Sequence, residues 1–113
     1  MKYIHTIDIA NPELVPETVQ EILDEAVDVI HWTHKWRAIK VVHGKGDTKK
    51  TASLKNVVRN WASRNEKHFK GIVPGEIYNE MNPIILEMQK TCGTFVDPDL
   101  GIENSNLTLI WIK

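Results

Sequence analysis

One short stretch of the chain brings together residue types that bind anions. It reads Val41-Val42-His43-Gly44-Lys45-Gly46. Gly44 and Gly46 permit positive φ and let another group approach the backbone closely. Lys45 adds a mobile positive charge, and His43 adds an imidazole of the kind that titrates near neutral pH. The pattern predicts a phosphate-binding turn, and an ordinary tight turn between a strand and a helix is the alternative.

The elements on either side of this turn favour the phosphate site. The β-branched run at 38–42 predicts a buried strand, and apolar residues at i, i+3, i+4 and i+7 predict a helix over about 52–64. A helix begins with free backbone N–H groups and the positive end of its dipole, which both favour an anion. The turn differs from a Walker phosphate loop, because Lys45 precedes the second glycine and no Lys-Ser/Thr pair follows it.

Charge is distributed very unevenly along the chain. The net charge is −1, yet residues 35–70 contain eleven basic and only two acidic residues. A basic block of this kind indicates a polyanion as partner, and a solvated helix face paired with the acidic first helix is the alternative. The candidate phosphate-binding residues are those of the turn and the following basic positions: His43, Gly44, Lys45, Gly46, Lys49, Lys50, Lys55 and Arg59.

The rest of the chain predicts an α/β fold. Apolar periodicity indicates a first strand over 3–9, a first helix starting near Pro16, a third strand over 69–73 and a closing strand over 106–112. A third helix is expected over about 75–91. Pro83 lies inside that segment and either kinks the helix or marks the start of its second half.

Aromatic and histidine residues cluster where the first helix should end. His31 and His34 have i, i+3 spacing, but no third ligand is evident, so no metal site is predicted. Trp32 and Trp36 are expected to cover the edge of the core. Trp61 and Trp111 are expected inside the core, because each belongs to an apolar helix stripe or strand.

Length and composition limit the classes of protein to which the chain can belong. A chain of 113 residues corresponds to one domain, 1–113, and 42% hydrophobic content is ordinary for a globular protein. The single Cys92 excludes an internal disulfide, no apolar run is long enough to span a bilayer, and the N-terminus lacks a signal-peptide core. We therefore expect a cytoplasmic protein with no membrane partner, monomeric by default.

Three features make the chain resemble the Smr (small MutS-related) domain family. They are the run Val41 to Gly46, the helix pattern Leu54 to Trp61, and the final strand Leu107 to Lys113. The resemblance implies a two-layer α/β sandwich of β-α-β-α-β-β order with a four-stranded mixed sheet, like the C-terminal domain of bacterial translation initiation factor three. Residues 75–103 then form an insertion, apparently helical, where the family usually has a short loop.

The resemblance also implies binding to DNA or RNA and, in some members, nicking or endonuclease activity. The family usually opens with Leu-Asp-Leu-His-Gly, whereas this chain has Ile7-Asp8-Ile9-Ala10-Asn11. The family's Asp-x-His is tied to cleavage, so Ala10 in place of the histidine puts cleavage in doubt and leaves binding untouched. If the chain is a nuclease, Asp8 and His43 are the candidate catalytic residues, with Mg²⁺ as the candidate cofactor.

Three functions therefore remain open at this point. The first is nucleic-acid binding through the glycine turn and the basic helix, and the second is an endonuclease using Asp8 and His43. The third is a protein-interaction module, because the inserted segment carries Met81, Ile84, Ile85 and Met88, and methionine-rich faces suit adaptable surfaces.

Overall fold

The computed structural model describes residues 3–10, 14–44 and 49–113. The strands are β1 (Ile4–Asp8), β2 (Ala38–Val42), β3 (Phe69–Pro74) and β4 (Leu107–Ile112). The helices are α1 (Pro16–Thr33), α2 (Lys49–Arg64) and α3 (Pro83–Cys92), with short 3-10 turns at Glu66–His68 and Gly75–Ile77. The predicted strands and the first two helices are confirmed, with α2 starting three residues earlier than expected.

The four strands form one mixed sheet in the order β1-β2-β4-β3. Strand β1 pairs with β2 in parallel, and β4 runs antiparallel to both of its neighbours. We call the end where β1, β2 and β3 finish and β4 starts the carboxyl end of the sheet. The opposite end, where α1, α2 and β4 finish, is the amino end. The connections α1 and α2 therefore each run from the carboxyl end back to the amino end.

Helices cover both faces of the sheet. Side chains alternate along each strand, so that Ile39 and Ile110 face α1 and α2, while Ala38 and Trp111 face α3. The predicted four-stranded mixed α/β fold is confirmed. Helix α3 adds a layer on the face that a two-layer sandwich would leave open.

Two of the four tryptophans are core residues, as predicted. Trp61 is 3% exposed and Trp111 is 5% exposed. Trp36 is half-buried and packs against the core beneath α1 and α2. The expectation for Trp32 was wrong, since its side chain is 85% exposed. Trp32 follows the buried Ile30 by two residues, which places it about 200° round the helix at 3.6 residues per turn.

Helix α3 begins at Pro83, which settles the alternative that the sequence left open. The Asn82 side chain caps the helix by accepting from the N–H groups of Ile84 and Ile85, at 2.9 and 3.4 Å. Proline is suited to the first helical position because the N–H it lacks has no partner there. The segment before it is not helical beyond the 3-10 turn Gly75–Ile77.

Candidate nucleic-acid interface

Helix α2 starts at the carboxyl end of the sheet with two consecutive lysines. Lys49 is exposed and is the first helical residue, Lys50 is the second, and the first turn contains no acidic residue. Acidic residues are favoured at a helix N-terminus and cations are not, because the dipole is positive there. This end of the helix therefore carries a concentrated positive potential. Lys45 and Gly46 lie outside the described residues, as does the side chain of Lys50.

His43 lies just past β2 and is fully buried. Its backbone N–H donates to the carbonyl of Asn106 at 2.8 Å, and its Nε2 lies 3.0 Å from the Thr108 hydroxyl. Burial, together with the smaller effect of the nearby positive charges of Arg59 and Lys55, lowers the pKa of His43 to about 4. The imidazole is consequently neutral at pH 7. Gly44, which follows it, is buried as well.

Arg59 links α2 to the start of β4 and to the turn after β3. Its Nε donates to the Thr108 hydroxyl at 3.2 Å, and Nη1 donates to Glu76 at 3.1 Å. Because Thr108 also contacts His43, the guanidinium, the hydroxyl and the imidazole form one connected group. The structure thus brings together three of the residues predicted for the site, namely His43, Lys55 and Arg59.

Glu76 is the residue of this group that sequence reasoning missed. It accepts from Lys55 Nζ at 3.0 Å as well as from Arg59. The hydrogen bonds from Arg59 lower the pKa of Glu76 to about 2, so the carboxylate stays charged at neutral pH. Two cations predicted to meet phosphate are therefore already paired with one carboxylate. Glu76 follows Arg59 by 17 positions and Lys55 by 21 positions, and separations of this size give no periodic signal from which the pairing could have been predicted.

Asp8 also lies at the carboxyl end of the sheet but on the other face from His43. Asp8 pairs with Val42 across the parallel strands, whereas His43 is one residue further on and contacts Thr108 on the α1–α2 face. The Asp8 carboxylate accepts from the N–H of Ala10 at 2.9 Å, a local hydrogen bond that caps the turn after β1. The strands are parallel neighbours, yet the two side chains are not brought together.

Lys40, counted in the basic block, lies inside the protein. Its ammonium is 3.0 Å from Asp97 and 2.7 Å from Asp99, and Asp97 also accepts from the Tyr78 hydroxyl at 2.6 Å. Burial alone would lower the pKa of Lys40, but the hydrogen bonds and charges of Asp99 and Asp97 raise it above its usual value. This charge holds the loop after α3 onto the sheet and contributes nothing to a surface for polyanions.

The segment 75–103 places some of its apolar residues in the core and leaves others on the surface, among them Val96, which is 86% exposed. Ile85 and Met88 belong to the core and Ile84 is partly buried against it, while Met81 is 80% exposed. Within the described parts of the chain, no three His, Cys, Asp or Glu side chains are grouped as metal ligands, and no helix is long and apolar enough to cross a membrane.

Comparison with known proteins gives one family and one fold. A family model of the Smr domain matches residues 12–77, more than half of the chain. The crystal structure of the Smr domain of Thermus thermophilus MutS2 matches with a TM-score of 0.57 and 15% identity, over 96% of this chain and 98% of that chain. At that identity the structural likeness shows the fold alone. No curated protein sequence matches the chain.

Proposed function

Because the chain belongs to the Smr domain family, as its motifs predicted, we propose that it binds nucleic acid by holding phosphates at the carboxyl end of the sheet. The observation that carries this proposal is the start of helix α2, where Lys49 and Lys50 stand at the positive end of the dipole without an acidic residue in the first turn. A phosphate bound there would offset both the charges of the two lysines and the positive end of the helix dipole.

The turn before the helix supplies the remaining contacts in this proposal. Backbone N–H groups of Gly44, Lys45 and Gly46 are the candidate donors to a phosphate, and Lys45 is a candidate counter-charge. Contacts of this kind give affinity and orientation without reading sequence. We therefore expect DNA and RNA of unrelated sequences to bind with similar strength.

Lys55 and Arg59 take a secondary part in the proposed binding. Both are paired with Glu76, so a phosphate gains them only by replacing the carboxylate. Arg59 also holds Thr108, and Thr108 contacts His43. We assign Arg59 and His43 to fixing the start of the glycine turn, with Lys55 as the cation that a phosphate reaches more readily.

In this proposal the domain binds nucleic acid without cleaving it. A general base must reach the proton that it removes, and a fully buried imidazole with a pKa near 4 is badly placed and poorly basic for that task. Asp8 lies on the opposite face of the sheet, so its carboxylate is not placed to orient the His43 imidazole or to raise its pKa. The endonuclease alternative, with Asp8, His43 and Mg²⁺, is therefore ranked second.

One assay separates the two alternatives. Labelled single-stranded, branched and duplex DNA and RNA are incubated with the purified domain at low salt, with and without Mg²⁺. The proposal expects retarded, intact nucleic acid in every case. Retardation should weaken when Lys49 and Lys50 are both replaced by Ala, and should stay nearly unchanged for Lys90→Ala, an exposed lysine on α3. Absence of binding at low salt would refute the proposal.

A further inference from the structure

A second group of cations lies at the amino end of the sheet, far from the glycine turn. The end of α1, the connection to β2 and the end of β4 enclose a pocket of about 270 Å³. Its lining includes two cationic side chains, Arg37 and Lys113, and two imidazoles, His31 and His34, and no acidic side chain. The floor is apolar, formed by residues such as the buried Ile112. We call this the amino-end pocket.

The cationic side chains of the amino-end pocket form no ion pair with a carboxylate side chain of the described residues. Among the described residues, neither Arg37 nor Lys113 forms an ion pair with a carboxylate, and the same holds for the neighbouring Lys35. Elsewhere in the basic block, Lys40 is buried between two aspartates, and Lys55 and Arg59 share Glu76. The excess of basic residues over 35–70 therefore gives positive charge at the amino end of the sheet as well as at the start of α2.

Trp36 forms the aromatic wall of the pocket, and its surroundings bear on the kind of ligand that can bind. The Trp36 ring stacks on His5 with ring centroids 4.2 Å apart, and Lys35 Nζ lies over the ring at 5.0 Å. Because His5 already stacks on the Trp36 ring, this residue has at most one ring face left for the stacking by which single strands are held. Basic side chains around an apolar floor, with at most one free aromatic face, suit a phosphate group.

The backbone around the pocket is firmly held. His34 ends α1 in the left-handed region at φ 55°, where glycine or asparagine is usual, and its N–H donates to the Ile30 carbonyl at 3.1 Å. The Arg37 N–H donates to the Tyr3 carbonyl at 2.7 Å, and the Arg37 carbonyl accepts from the Ile112 N–H at 2.9 Å. The cations are thus presented from a fixed frame that does not depend on their side chains.

We propose that the amino-end pocket is a second phosphate-binding site; that its phosphate belongs to nucleic acid rests on the proposed function. The two sites lie at opposite ends of β2, whose five residues span about 16 Å at roughly 3.3 Å each. At about 3.4 Å per stacked nucleotide, one strand needs at least about five nucleotides to reach both sites. Because helices cover both faces of β2, the path over the surface is longer than this minimum, so a ten-nucleotide strand, about 34 Å long when stacked, is the suitable probe.

The direct test follows backbone and indole N–H resonances by NMR while inorganic pyrophosphate, and separately a ten-residue oligothymidylate, is added. We expect both probes to shift the Trp36 indole and the Arg37 amide. The shifts should be lost in the double variant Arg37→Ala, Lys113→Ala, whose backbone contacts are unaffected by the change. The same variant should lower the salt slope of oligonucleotide binding by about 1.4, two phosphates at about 0.7 each.

The matched control is Lys90→Ala, which removes one exposed charge from α3 on the other face of the sheet. Oligonucleotide binding with no shift at Trp36 or Arg37, and with equal salt slopes for the double variant and the control, would overturn the inference. Pyrophosphate shifts at these residues without any oligonucleotide binding would support the pocket as a phosphate site and refute the proposed function alone. The two failures are thereby distinguishable.

Discussion

Arg59 and Glu76 form a two-point ion pair, in which Nη1 is 3.1 Å from Oε2 and Nη2 is 2.5 Å from Oε1. Lys55 adds a third contact to the same carboxylate. In the proposed binding mode, a phosphate would compete with Glu76 for these two cations, because a guanidinium or an ammonium can donate hydrogen bonds to either anion. We therefore expect Glu76 to oppose phosphate binding on this part of α2.

We expect Glu76→Gln to tighten nucleic-acid binding and steepen its salt dependence. Removing the carboxylate releases Lys55 and Arg59, and two further phosphate contacts add about 1.4 to 1.8 to the slope of log K against log salt. Glu80→Gln, an equal charge change at an exposed position nearby, is the control. Equal slopes for the two variants would show that Glu76 does not compete with phosphate.

The burial of His43 predicts a loss of stability in mild acid. Its pKa is about 4 in the folded protein and about 6.5 when exposed, so the unfolded chain binds the proton first. Stability from this group is complete above pH 6.5 and falls as the pH drops towards 4, by roughly 3 kcal/mol in all. Urea unfolding at successive pH values should show this fall in the wild type and a smaller one in His43→Gln. Parallel curves would contradict the neutral buried imidazole.

Trp61 and Trp32 allow a matched test of the core. Trp61 is buried and its Nε1–H donates to Asp24 at 2.8 Å, whereas Trp32 is almost fully exposed on the same side of the sheet. Trp61→Ala should lower the free energy of unfolding by about 3–5 kcal/mol. Trp32→Ala should change it by less than about 0.5 kcal/mol. Chemical denaturation of the two variants measures both values, and similar losses would refute the packing described for α1 and α2.

Cleavage offers a separate prediction about His43 and Asp8. With Mg²⁺ present, we expect no strand scission by the wild type, and His43→Ala should change affinity by a factor of a few at most. If the domain does cleave, His43→Ala should lower the rate about 10²–10⁴-fold while affinity persists. Metal-stimulated scission that disappears in Asp8→Asn would show that these residues are catalytic after all.

Local sequence patterns account for most of the fold. Period-2 and period-3.6 apolar residues located every strand and the first two helices, and the motif after β2 identified the family. Pro83 and Asn82 together mark the start of α3, a capping signal that the apolar pattern of 75–91 obscured. The exposure of Trp32 follows from its position relative to Ile30, which residue type alone does not convey.

The candidate site was predictable only in part, because carboxylates far away in the sequence determine which of its cations are paired. Lys40 pairs with aspartates 57 and 59 residues away, and Arg59 pairs with a glutamate on another element. Counting charges along the chain treats all these cations as available. The three-dimensional pairing neutralises Lys40, Lys55 and Arg59, while other described cations of the block, such as Arg37, Arg64 and Lys67, form no ion pair with a described carboxylate.

The most direct test of the account is the salt dependence of nucleic-acid binding at the start of α2. If Lys45, Lys49 and Lys50 neutralise three phosphates, this end of the molecule should give log K against log salt a slope of roughly −2.1 to −2.7, or about −3.5 to −4.5 if Lys55 and Arg59 also take part, and a strand that also reaches the amino-end pocket should steepen it by a further ~1.4. Replacing Lys49 and Lys50 by Ala should make the slope shallower by about 1.4 to 1.8. A slope near zero in the wild type, or an unchanged slope in the double variant, would contradict the proposed phosphate-binding function.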